Sequence, residues 1–156
     1  MAVPPPVELT FDEVDPSAVA GELERLAGTG AWVNLVPEVE PGHEPPPRSA
    51  VISLFSARGE AVPFATWSAS GPGDRRHTLG IEHGSGPRAL ARLDEVDLGL
   101  RPRWFKVADH PRRGLVVTCP SDEPAEDVLW WLLAACHALS AVPLSGTWQA
   151  RVYEPG

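Results

Sequence analysis

Residues 104–142 read WFKVADHPRRGLVVTCPSDEPAEDVLWWLLAACHALSAV, and this run decides the fold. Trp104 to Ala108 and Leu115 to Cys119 are β-rich segments. The turn-forming Asp109-His110-Pro111-Arg112-Arg113-Gly114 joins them as a strand pair. Ser121-Asp122-Glu123-Pro124 then starts a helix, with acids at the positive end of the helix dipole and a proline suited to the first turn. The spacing predicts a helix from there to about Val142. Its apolar residues reach nearly all round. Val128, Leu132, Ala135 and Leu139 share one face, Leu129, Leu133, Cys136 and Ser140 an adjacent one, and Trp130 and His137 a third. A strand pair followed by a helix buried on more than one side calls for a sheet with helices laid on it.

The flanking sequence extends the same pattern. On the N-terminal side, His77, Leu79, Ile81 and His83 alternate with Thr78, Gly80 and Glu82, as a half-buried strand does. Ala50 to Ser56 and Val62 to Ala69 read as strands around an Arg58-Gly59-Glu60 turn, and Ala31 to Val36 as another. Asp15-Pro16 opens an amphipathic helix carrying Val19, Leu23 and Leu26 at helical spacing, which Gly28 ends. Pro87 to Leu93 makes a short helix. On the C-terminal side, Trp148, Ala150 and Val152 alternate with Gln149, Arg151 and Tyr153 as a closing strand. The fold class is therefore α+β. A mainly antiparallel sheet of about six to seven strands combines with an N-terminal amphipathic helix, a short middle helix and a long buried C-terminal helix. Residues 1–8 are expected to be a flexible proline-rich tail, and residues 9–156 one domain. Residues 37–48, with five prolines and Glu38, Glu40 and Glu44, are expected to be an exposed acidic loop.

Composition sets the outer limits. A chain of 156 residues with 43% hydrophobic and 22% charged residues is one ordinary globular domain. The net charge of −8 argues against a nucleic-acid binder. Charge is unevenly spread: residues 75–113 hold nine bases and five acids, a local +4. The longest apolar run, Val128 to Leu144, is 17 residues with His137 inside it. That is short of the roughly 20 apolar residues of a membrane span. The first residues show no signal-peptide pattern, so the expected location is the cytoplasm. Cys119 and Cys136 have no metal-ligand spacing and read as small buried hydrophobes. Neither a metal nor a cofactor is expected.

Gly84-Ser85-Gly86-Pro87-Arg88-Ala89 follows a strand, opens a helix and matches G-x-G-x-x-A, with Asp109 twenty residues on. That is the spacing of a dinucleotide fingerprint. Against it, the preceding strand is polar, no second mononucleotide half fits beside the hairpins, and Pro87 removes a backbone donor. The remaining readings are a plain strand-to-helix turn or a simpler anion site. The anion site would use the helix-start amides with Arg75, Arg76, His77, His83, Ser85, Gly86, Arg88, Arg112 and Arg113, provided these converge. Asp109-His110 is a candidate acid–base pair that turn chemistry also explains, and no triad, nucleophile elbow or H-E-x-x-H string is present.

Six tryptophans are many for this length. Adjacent Trp130 and Trp131 must point about 100° apart on a helix, so one of them leaves the primary core. Trp130, Trp131 and His137 are the candidate interface residues. In size, acidity and element order the chain is similar to small acidic secretion-chaperone-like domains, which bind partner segments as dimers. The functional expectation is a non-catalytic protein-binding or assembly module, chaperone-like or immunity-like. Its partner would be a second copy (a homodimer) or another protein. The alternative is a binder of, or an enzyme acting on, a small anionic ligand through residues 75–113.

Overall fold

The computed structural model describes residues 4–46 and 59–156. In chain order the elements are β1 (Val7–Asp12), α1 (Ser17–Leu26), β2 (Trp32–Val39), β3 (Phe64–Ser68), β4 (Arg76–Glu82), α2 (Ala89–Glu95), β5 (Phe105–His110), β6 (Gly114–Pro120), α3 (Ala125–Leu139) and β7 (Leu144–Tyr153). The strands form one sheet, ordered β1-β7-β2-β3-β4-β6-β5, with every neighbouring pair antiparallel. The α+β class and its mainly antiparallel sheet are as the periodicity predicts.

Alternation explains which face is covered. Val152, Val33, Trp67, Leu79 and Val117 stand in one row across five strands, and Ala150, Leu35, Ala65, Ile81 and Leu115 in the next. All ten are buried. α1 and α3 pack on each other, α3 lies against β3 and β4, and α2 packs on α3. The other face carries Asn34, whose Oδ1 accepts from Thr66 Oγ1 (2.9 Å), and Trp32 stacked on Tyr153 at 5.2 Å.

Several boundaries differ from the sequence reading, each for a physical reason. Val7 and Glu8, expected in the tail, begin β1, because Val7 pairs with Val152 and Glu8 with Arg151. Residues 37–39, expected in the acidic loop, continue β2. Pro37 sits opposite Trp148 where the register shifts, a place that tolerates a residue without an N–H. Ala50 to Ser56, Arg58 and the end of the 37–48 loop lie outside the described residues. α3 stops at Leu139 rather than Val142, since Ser140 turns to extended backbone (ψ 137) and its hydroxyl bonds to the Val142 carbonyl at 2.6 Å. β7 begins at Leu144, which is buried, four residues before the expected start. Among the described residues, no helix is long and apolar enough to cross a membrane.

Candidate docking site on the third helix

α3 has more apolar surface than the sheet can cover. Its inner residues are closed: Val128, Leu129, Leu132, Ala135, Cys136 and Leu139 are all buried. Trp131 is 2% exposed, edge-on to Trp104 at 5.3 Å, and its Nε1 donates to the Leu98 carbonyl at 2.9 Å. Trp130, one step round the helix, is 61% exposed. The adjacent tryptophans therefore part, one into the core and one out of it.

Trp130, Ala134 and His137 follow one another at helical spacing and form a ridge between two recesses. On the α1 side, Glu13, Pro16 and Leu133 complete a cavity of about 210 Å³. On the α2 side, Arg92, Leu93, Glu95, Val96, Asp97 and Leu98 border a broader groove of about 740 Å³.

Glu13 is the polar centre of the first recess. Its backbone N–H donates to the Gly146 carbonyl at 3.0 Å, which fixes the turn after β1 against the start of β7. Its Oε2 lies 2.7 Å from His137 Nε2 and accepts from Trp148 Nε1 at 2.9 Å. A carboxylate only accepts, so His137 carries its proton on Nε2 there. Oε1 of Glu13 has no hydrogen-bond partner among the described residues. Sequence reading found Trp130 and His137 but missed Glu13. That residue lies 124 positions from His137, and nothing local distinguishes it from the other acids before α1.

The structure does not bring the basic residues of 75–113 into one site. Two of the expected contributors are in the core. His77 is buried against the Trp67 ring, its Nδ1 accepting the Ser70 N–H at 2.9 Å. His83 is fully buried, and its Nδ1 meets the Ser85 hydroxyl at 2.8 Å. Burial holds both imidazoles below their usual range; Arg92 pushes His83 the same way and Asp109 opposes it. Arg75 and Arg76 lie with Arg103 at one end of β4. The Arg76 guanidinium is held by Thr118 and by the Arg103 carbonyl, 4.8 Å over Phe105. Arg88 lies elsewhere, beside Lys106 and Asp109. Gly86 offers its carbonyl to Arg92.

The helix-start amides are also taken. Asp109 Oδ1 accepts from Ala89 N at 3.2 Å and Oδ2 from Leu90 N at 3.0 Å. The acid at fingerprint spacing thus occupies the amides an anion would need, and the Gly84–Ala89 turn is a strand-to-helix connection capped from β5. Asp109-His110 is no acid–base pair either: His110 Nδ1 accepts the Arg112 and Arg113 amides at 3.1 Å in the hairpin turn. Cys119 and Cys136 are buried thiols, Cys119 pushed up to about 12 by burial and Cys136 pushed higher still. Among the described residues, no group of three or more His, Cys, Asp or Glu side chains is placed to hold a metal ion. No family model, curated protein or solved structure matches the chain.

Proposed function

We propose that this protein is a non-catalytic docking module, chaperone-like or immunity-like, that works in the cytoplasm and holds a protein partner on the outer surface of α3. The observation that carries this reading is Trp130. A large aromatic side chain 61% exposed beside two apolar recesses is the anatomy of a binding hot spot rather than of a solvated helix face. The alternative, an anionic-ligand site in residues 75–113, loses support from the dispersal of its residues and from Asp109 on the helix-start amides.

The test is site-specific photo-crosslinking in the native cell, with benzoylphenylalanine at position 130 and, as a control, at exposed Val107 on the far sheet edge. A discrete protein adduct from position 130 and none from 107 is the expected result. No adduct at 130, together with a native mass spectrum showing a monomer carrying a small anion, would reverse the reading in favour of the alternative.

A further inference from the structure

The recess between α1 and α3 brings together an exposed tryptophan, a carboxylate and a small apolar wall. Trp130 lines one side, Pro16, Leu133 and Ala134 supply the wall, and Glu13 stands beside them. Oε2 of Glu13 is committed to His137 and Trp148, so its other oxygen keeps its acceptor capacity. An aromatic ring next to a carboxylate in an apolar recess is the chemistry that recognises a guanidinium or ammonium group. The side chain carrying such a group also has an aliphatic stem suited to an apolar wall.

The electrostatics across the ridge point the same way. The α2-side groove is bordered by Glu95 and Asp97. Arg92, the one Arg or Lys along it among the described residues, directs its guanidinium to the Ser85 hydroxyl and the Gly86 and Pro87 carbonyls. The chain as a whole carries −8. A second copy on this face would set Glu13, Glu95 and Asp97 against a like-charged surface, at a cost to association.

We infer that the Glu13–Trp130 recess receives an arginine or lysine side chain from a basic, partly apolar segment of a partner protein. The inference rests on the docking reading and specifies its occupant. Glu13 pairs with the cationic head, Trp130 covers it, and the ridge and the α2-side groove take the neighbouring apolar residues. His137, which also lines the recess, and Trp148 act as positioning residues, because both hold the Glu13 carboxylate in place through its Oε2.

The test uses random dodecapeptides displayed on phage, selected on the full chain at roughly physiological salt, where long-range attraction is screened. Counter-selection on Trp130→Ala removes peptides that bind elsewhere. The best binder is then titrated beside a twin in which each arginine is citrulline, a neutral isostere, or each lysine is norleucine. Expected are basic residues in the selected peptides, at least tenfold weaker binding of the neutral twin, and near-equal binding of the two by Glu13→Gln. The twin comparison needs no variant of the protein, so a misfolded Glu13→Gln does not spoil it. Trp130-dependent peptides whose neutral twins bind equally well would overturn the cation inference and leave the docking reading standing. No Trp130-dependent peptide at all would overturn both. Self-association that Trp130→Ala abolishes would overturn the cation inference by placing a second copy in the recess.

Discussion

Replacing Trp131 with alanine empties a space closed by Trp104 and removes the donor to the Leu98 carbonyl. Such truncations cost about 3–5 kcal/mol. Trp130→Ala, one residue earlier, removes an exposed ring and should change stability by no more than about 0.5 kcal/mol. Urea unfolding of the two variants checks the pair, and equal losses would contradict the assignment of Trp130 to the outside. His77 and His83 set a pH dependence. Both are held below their ordinary 6.5 by burial, so the unfolded chain binds protons first as pH falls. Their contribution to stability is full above about pH 6.5 and is lost as pH drops from there towards their folded-state values. The slope should approach ~1.4 kcal/mol per pH unit for each histidine. His77→Gln, which keeps an acceptor near the Ser70 amide, should remove one histidine's share of that slope, measured by urea unfolding between pH 7.5 and 5.5. The sequence pointed to both histidines as possible ligands because they belong to the basic stretch of residues 75–113, yet alternation puts them on the same strand face as Leu79 and Ile81, which turns to the core.

At the scale of elements, α2 depends on a residue from another element. Asp109 on β5 supplies the carboxylate for the Ala89 and Leu90 amides, a cap that no residue next to α2 in sequence provides. Asp109→Ala should cost about 1–2 kcal/mol, and amide exchange should quicken in Ala89–Glu95 before the rest of the chain. The β5–β6 hairpin depends on Gly114. It has φ +94, and a Cβ there would lie 2.3 Å from the Ile81 carbonyl oxygen. Gly114→Ala should therefore destabilise by more than about 1 kcal/mol, with the loss visible in thermal unfolding. The hairpin and α3 were legible because their signals are local: a proline–glycine turn between apolar runs, and acids before an apolar helix. β1 was not. Pro4-Pro5-Pro6 reads as a loose tail, and only pairing with β7 makes Val7–Asp12 a strand.

At the scale of the molecule, β7 sits between β1 and β2 and joins the two into one sheet. Removing residues 144–156 would strip both strands of their shared neighbour and open the row of Trp148, Ala150 and Val152. The shortened chain should show no cooperative thermal transition by circular dichroism. Burial in the one core shields both thiols: Cys119 and Cys136 should stay silent to a disulfide reagent until the whole domain unfolds, and should then react together. By itself the sequence determined the class of the fold, because periods of 2 and 3.6 and the turn residues between them report how each segment presents its apolar side. It also determined that one of the two adjacent tryptophans must leave the core, since neighbouring helical positions diverge. Only the tertiary structure decided which one. It alone set the strand order, joined Glu13 to His137 and Trp148, and scattered the basic residues of 75–113. Those outcomes depend on which surfaces meet across long stretches of chain, and local periodicity carries no information about the partner a face will find.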